Sequence, residues 1–180
     1  MAKQRESAKN NLPDGWLLSG QAPMDYRVDV EQRGGRHCNP CAVLTNRKKE
    51  PSDFATLCQA FFPDEYKGHR VRLSGFLKTK KVKGGAGLWM RVDKDQAVLV
   101  LDNIWRRRIE GTTAWTRYDV VLDVAADATL LAFGVSLHGT GTVWTDSVTL
   151  EVVGNDVPVS VPTRVNHPVN LDFTGSMRRL

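Results

Sequence analysis

A chain of 180 residues, 41% of them hydrophobic, fits one ordinary globular domain. No apolar run approaches the ~20 residues that a membrane helix needs, and residues 1–11 are polar and charged, without the apolar core of a secretory signal. We therefore expect a cytoplasmic protein with no membrane partner. The net charge of +5 comes from short, separate basic clusters, which favours a solvated basic surface, so nucleic acid is not expected as a partner.

Taken in chain order, the sequence begins with an arm, residues 1–11, that we expect to be disordered, and continues with one β-sandwich domain over residues 12–153. Within the domain, Tyr26 to Glu31 alternates between apolar and polar residues, as a half-buried strand does. Residues 54–62 predict a strand or an irregular sheet edge, and Lys83 to Gly85 predicts a turn. The other predicted strands are 41–45, 69–80, 87–93, 97–103, 118–124, 129–138 and 142–153.

These strands lie between turns of Gly, Pro, Asp and Asn, and no convincing amphipathic helix separates them. That spacing is typical of a β-sandwich or β-barrel. After the domain, residues 154–168 are rich in proline and predict an extended linker, and residues 169–180 form a strand-like segment with a tail. Val169 to Phe173 alternates, so it could pair with a sheet edge of its own chain or of a second copy, giving a homo-oligomer. The alternative is an exposed tail.

The spacing of the cysteines bears on metal or redox chemistry. Cys38 and Cys41 form a Cys-x-x-Cys pair, but a zinc site needs a second ligand pair, which the remaining Cys58 and the scattered histidines do not supply. Buried or semi-buried strand cysteines are therefore favoured, and zinc at Cys38 and Cys41 stays a weak alternative. Asp146, at a strand end, is a weak candidate for a structural calcium. Otherwise no cofactor is expected.

Several motifs in the second half of the chain resemble a known module. They are the run from Gly87 to Asp93, the pair Asp102 and Asn103, Gly111 to Thr113 with Trp115 and Tyr118, and Gly141 to Asp146. Together they resemble a bacterial jelly-roll accessory module found in proteins labelled AraC-type transcription regulators. The resemblance extends to carbohydrate-binding modules and galactose-binding-like domains, and it spans about residues 12 to 173.

This resemblance implies an all-β fold, a jelly-roll β-sandwich of two antiparallel sheets. It does not imply DNA binding, because these residues show no helix-turn-helix pattern, and we expect the module to stand alone. The segments 37–41 and 105–108 depart from the pattern of the module.

Alternation within the strands separates inward from outward side chains. If Leu88, Met90 and Val92 are core, then Trp89, Arg91 and Asp93 face outwards. The same test displays residues from the neighbouring strands, and one common surface presents them with Trp89 and Arg91 if those strands are adjacent. Asn103 joins them from the motif above. The candidate ligand-binding residues are Trp89, Arg91, Asp93, Arg72, Phe76, Asn103, Ser136 and His138. The alternative is that Trp89 merely covers the sheet while Arg91 pairs with Asp93 or Asp102.

An aromatic ring that stacks on a sugar, beside groups that hydrogen-bond hydroxyls, suits a carbohydrate or a similar small polar ligand. We therefore expect a non-catalytic ligand-binding module. The alternative is a regulatory or protein-interaction module that oligomerises through its C-terminal segment. No nucleophile elbow, phosphate loop or spaced pair of histidines indicates an enzyme. A glycan-active hydrolase that uses Asp93 and Asp102 is a weaker alternative.

Overall fold

The computed structural model describes residues 11–161. Over this range it contains eight strands, two short 3-10 turns and no α-helix. These residues therefore contain no candidate for a membrane-spanning helix. The strands are β1 Leu17–Gly20, β2 Tyr26–Glu31, β3 Cys41–Asn46, β4 Ala55–Phe61, β5 Arg70–Lys94, β6 Ala97–Asp102, β7 Ile109–Asp123 and β8 Leu130–Val153.

The strands form two antiparallel sheets that share β5 and β8, which are 25 and 24 residues long. The first sheet has the order β1-β4-β8-β5-β6 and uses the start of β8 and the end of β5. The second sheet has the order β2-β3-β8-β5-β7 and uses the end of β8 and the start of β5. The predicted all-β fold of two antiparallel sheets is confirmed.

The predicted turn at Lys83 to Gly85 is wrong, because β5 runs through it as one strand. The two shared strands change partners here, and the register shifts between Lys80 and Lys83. Gly84 and Gly139 pair across the strands with φ of 108° and 68°. A Cβ on Gly84 would lie 2.7 Å from the His138 carbonyl oxygen. Glycine is therefore required where the two strands cross. The glycines that suggested a turn instead allow one long strand to pass from one sheet to the other.

The inward sets predicted from alternation are confirmed. Leu88 is 4% exposed, and Met90 and Val92 are fully buried. On the second sheet Val71, Leu73 and Leu77 are fully buried too. A Cβ on Gly75 of the second sheet would lie 3.5 Å from the Leu88 side chain of the first, so the two sheets pack face to face around one core.

Two further expectations concern the edges and the ends of the domain. The segment predicted as a strand or an irregular edge is the strand β4, and it lies inside the first sheet, between β1 and β8. Residues 1–10 and 162–180 lie outside the described residues, among them the segment from Val169 to Phe173. The arm, the linker and the tail stay predictions. The structure does describe residues 154–161 of the predicted linker, where Ser160 N–H donates to the Val121 carbonyl at 2.9 Å and Arg70 Nη1 donates to the Val157 carbonyl at 2.7 Å.

Candidate functional site

A cleft with a volume of about 520 Å³ lies on the outward face of the first sheet. All five strands of that sheet contribute to it, together with the loop that follows β6. The lining residues are Leu17, Ser19, Gly20, Phe54, Thr56, Cys58, Gln59, Ala60, Trp89, Arg91, Leu101, Asn103, Ile104, Trp105, Ala132, Ser136 and His138.

The indole of Trp89 forms the floor of the cleft. Its Nε1 donates to Thr56 Oγ1 at 2.7 Å, although Trp89 lies on β5, Thr56 lies on β4 and β8 runs between them. The residue of β8 level with Trp89 is Gly134, which has no side chain in the way. The indole therefore lies across β8, and the Thr56 hydroxyl, which donates to the Val135 carbonyl at 3.0 Å, fixes its edge.

One end of the cleft is an aromatic wall of Phe54, His138 and Trp105. The ring of Phe54 stacks on His138 with centroids 4.7 Å apart and planes 16° from parallel. Trp105 meets the same imidazole edge-on at 4.7 Å and remains 50% exposed. Burial lowers the pKa of His138, against a smaller opposing effect of Asp53, so the imidazole is neutral at pH 7.

The loop that carries Trp105 is held to the sheet at two points. Ile104 is 2% exposed and sits over Gly87, where an added Cβ would lie 3.1 Å from its side chain. Arg107 Nη1 donates to Asp102 Oδ2 at 2.6 Å, and Asp102 is 1% exposed. Asn103 Oδ1 accepts from the Trp105 backbone N–H at 3.2 Å and begins the 3-10 turn. These contacts position the exposed indole before any ligand arrives.

The opposite end of the cleft carries Arg91. Its Nε donates to Oδ2 of Asp93 at 2.9 Å, and its Nη2 lies 2.8 Å from the same oxygen. Asp93 is 6% exposed, whereas the Arg91 side chain is 38% exposed. The buried carboxylate thus orients the guanidinium while leaving part of it open to solvent.

The structure brings five of the eight sequence-predicted residues together. Those that line the cleft are Trp89, Arg91, Asn103, Ser136 and His138. Asp93 lies on the same strand face but outside the lining, bound to Arg91. Arg91 therefore faces outwards, as predicted, and it also pairs with Asp93, as the alternative states.

Arg72 and Phe76 do not share this face, which corrects the expectation of one common surface. Both belong to the start of β5, in the second sheet. Arg72 pairs with Glu151 at 2.8 Å, and the Phe76 ring lies under the Arg36 guanidinium at 3.4 Å. Alternation correctly predicts that both side chains point away from the core. Because the start of β5 belongs to the second sheet, they lie on the outward face of that sheet and not of the first.

Sequence reasoning missed the aromatic partners of His138. Phe54 lies just before β4, in a segment whose pairing with β8 cannot be read from alternation. Trp105 belongs to the segment 105–108, which departs from the pattern of the resembled module. A tryptophan in a polar, arginine-rich loop is nevertheless a signal of an exposed ring. The exposed rim residues Leu17 and Leu101, 60% and 42% exposed, were missed as well.

Asp146, the weak calcium candidate, accepts hydrogen bonds from neighbouring residues. Among residues 11–161, no group of three or more His, Cys, Asp or Glu could hold a metal ion. Asp146 Oδ2 accepts from the Arg36 backbone N–H at 2.8 Å, and its Oδ1 accepts from the Ser147 hydroxyl at 3.0 Å. The expectation of buried or semi-buried strand cysteines is wrong for Cys38, which is exposed and precedes β3, whereas Cys41 is buried at the start of β3.

Comparison with known proteins gives one relative by sequence and several by structure. The chain matches no protein-family profile. It is 38% identical over 184 residues to an uncharacterized HTH-type transcriptional regulator, YbfP, of Bacillus subtilis (strain 168). That match covers 99% of this chain, and the chain spans 62% of the length of the regulator.

By structure, the chain is similar to the CBM22-1 xylan-binding domain of Paenibacillus barcinonensis Xyn10C. The TM-score is 0.55 at 15% identity, with 79% of this chain and 88% of that one covered. It is also similar to the enzymatically active domain of tailspike protein 4 of bacteriophage CBA120, with a TM-score of 0.60 at 14% identity. That match covers 78% of this chain and 20% of the tailspike chain.

These likenesses confirm the jelly-roll β-sandwich fold. The sequence-based resemblance, to carbohydrate-binding modules and to a module of proteins labelled transcription regulators, is confirmed with it.

Proposed function

We propose that this chain is a non-catalytic module that binds a carbohydrate in the cleft of the first sheet. The observation that carries the proposal is the indole of Trp89, which lies across β8 as a flat floor below a cavity of about 520 Å³. A cavity of that size, mostly apolar with a few placed polar groups, has the general form of a small-ligand site.

Each part of the cleft suits one part of a sugar. The apolar face of a pyranose ring packs on an indole such as Trp89 or Trp105, in the way aromatic side chains contribute to binding energy elsewhere. Sugar hydroxyls meet the amide of Asn103 and the hydroxyl of Ser136. The similarity in fold to a xylan-binding domain agrees with this proposal.

The hydrolase alternative finds no support in the placement of its two carboxylates. Asp93 is bound by Arg91 and Asp102 by Arg107, and both carboxylates are buried outside the cleft lining. Glycoside hydrolysis by a carboxylate pair requires two such groups facing each other across the scissile bond. Binding without catalysis is therefore the proposal that the geometry favours.

A regulatory role is a second candidate, and the specific observation in its favour is the 38% identity to a protein named as a transcriptional regulator. In that case the cleft would be the ligand-sensing part of a longer assembly. The two candidates are compatible, because a sensing module also needs a ligand site.

The test is a titration with a panel of neutral and acidic oligosaccharides, followed by isothermal calorimetry and tryptophan fluorescence. Trp89→Ala is expected to weaken binding at least about tenfold, or ~1.4 kcal/mol. Trp144→Ala, on the outward face of the second sheet, is the matched control and should leave affinity unchanged. The absence of binding to every sugar, or equal affinity of the wild-type protein and Trp89→Ala, would overturn the proposal.

A further inference from the structure

We infer that the cleft selects acidic oligosaccharides, with a sugar carboxylate bound by Arg91 and a neutral ring held at the aromatic wall. This inference rests on the proposed function and adds to it the chemical class of the ligand.

Arg91 supplies the formal charge of the cleft lining. None of the other side chains that line the cleft in the described part of the chain is a lysine, an arginine, an aspartate or a glutamate. His138 is neutral because its burial disfavours the charged imidazole. A bound ligand therefore meets one cation and no competing carboxylate on the surface of the cleft.

The guanidinium of Arg91 retains donors for a ligand. A guanidinium has five N–H groups, and Asp93 accepts one of them, from Nε, while Nη2 lies 2.8 Å from the same carboxylate oxygen. Among the described residues Nη1 has no hydrogen-bond partner, and the side chain is 38% exposed. The planar guanidinium suits a carboxylate because it can present two parallel N–H groups to it.

The positive charge of Arg91 also acts on Cys58, another residue of the cleft lining. Burial raises the pKa of the Cys58 thiol, and Arg91 opposes that shift by favouring the thiolate. Cys58 lies on β4, across β8 from β5, so the field of Arg91 reaches over the central strand. An anion on the ligand above that strand would be favoured in the same way.

The buried carboxylate of Asp93 limits the size of the effect. It partly cancels the charge of Arg91, but it is 6% exposed and outside the cleft lining, so a ligand comes closer to the cation than to the anion. We therefore expect a preference of about tenfold for an acidic over a neutral sugar, which corresponds to ~1.4 kcal/mol.

The two ends of the cleft are too far apart for a single sugar ring. His138 is level with Gly85 on β5, six residues before Arg91. At a rise of about 3.3 Å per residue, the backbone separation is roughly 20 Å. The ligand is thus an oligosaccharide, with its acidic residue at the Arg91 end.

The experiment compares acidic oligosaccharides with their carboxyl-reduced counterparts by calorimetry. The probes are oligogalacturonate, oligoguluronate, hyaluronan fragments and glucuronoxylan fragments, each paired with its own neutral form. At least one acidic member should bind about tenfold more tightly than its neutral partner, and this preference should shrink as salt is added. Arg91→Gln should remove the preference, Arg91→Lys should retain part of it, and Arg72→Gln, in the second sheet, should leave it unchanged.

The outcomes separate the inference from the proposed function. Binding of neutral forms as tightly as acidic forms overturns the inference and leaves the proposed function standing. An acidic preference that survives in Arg91→Gln overturns the role of Arg91. If no member of the panel binds, both proposals fall. Urea unfolding of each variant excludes misfolding as the cause of a loss, and Arg91→Lys remains informative if Arg91→Gln does not fold.

Discussion

The outward faces of both sheets carry aromatic and arginine side chains, but the neighbours of these side chains differ between the two sheets. On the second sheet, aromatic rings are covered by cations: Phe76 by Arg36, and Trp115 and Trp144 by Lys78. On the first sheet the rings of Trp89 and Trp105 line a cavity, and Trp105 remains 50% exposed although the Arg108 guanidinium lies 5.8 Å from its ring centroid. An aromatic residue beside a basic residue therefore does not identify a site by itself, because what matters is whether the face of the ring is already occupied.

The arginines differ in the same way. On the second sheet, Arg72 donates from Nε and Nη2 to Glu151, and Arg117 donates to both Asp119 and Ser74. These exposed pairs are worth little to stability and keep the surface soluble. Within residues 11–161 the hydrogen-bond partner of Arg91 is the buried Asp93, which orients it towards the cleft. The partner of an arginine thus decides whether its remaining donors serve a ligand.

The largest expected effect comes from the glycine on which the floor of the cleft depends. Gly134→Ala should lower the free energy of unfolding by about 3 kcal/mol, because the new Cβ would lie 2.3 Å from the Leu57 carbonyl oxygen. Gly75→Ala, in the second sheet, should change it by no more than ~1 kcal/mol, since its Cβ would make ordinary contacts at 3.5 Å. Urea unfolding measures both, and equal costs would contradict the close approach at Gly134.

A smaller effect is expected on the opposite face. Lys78→Met removes an ammonium that lies 4.5 Å from the Trp144 ring centroid and 5.0 Å from that of Trp115. We expect a loss of about 1 kcal/mol in the free energy of unfolding and a change in tryptophan emission. Sugar affinity should be unaffected. Lys80→Met, an exposed lysine on the same face, is the control, and a loss of sugar binding in Lys78→Met would place a ligand site on the second sheet.

The smallest expected effect is a pH dependence at the aromatic wall. Burial lowers the pKa of His138 in the folded protein below its usual 6.5, so the unfolded chain binds a proton more readily. The stability that His138 contributes is complete above pH 6.5 and is lost as the pH falls towards the lowered value. Urea unfolding at pH 7.5 and pH 5.5 should show a smaller drop in His138→Gln than in the wild-type protein. Equal drops would indicate that the imidazole is not desolvated between Phe54 and Trp105.

How far the sequence predicts this molecule depends on the range of each interaction. Alternation along one strand was enough to assign Leu88, Met90 and Val92 to the core and Trp89 and Arg91 to the outside, because side-chain direction is a local property of a strand. The error with Phe76 came from strand β5, whose two ends belong to different sheets. No local pattern reveals which sheet a strand segment has entered.

The site itself depends on contacts between distant segments. The bond between Trp89 and Thr56 and the stack of Phe54 on His138 join residues 33 and 84 positions apart, and each needs β4 to lie beside β8. Such pairings follow from the whole topology and not from any single motif. The loop around Trp105 was closer to prediction, since Asn103 before a 3-10 turn is a local capping signal.

Strands β5 and β8 pass from one layer of the domain to the other, so neither layer can open while the other stays closed. The whole domain is therefore expected to open as a single cooperative unit in hydrogen exchange. A sugar seated on Trp89 stabilises that unit by mass action, so it should slow amide exchange at Leu73 in the far layer as much as at Met90 beneath the floor. A sugar bound to the first sheet would then be detectable by amide exchange in the second sheet without any conformational change.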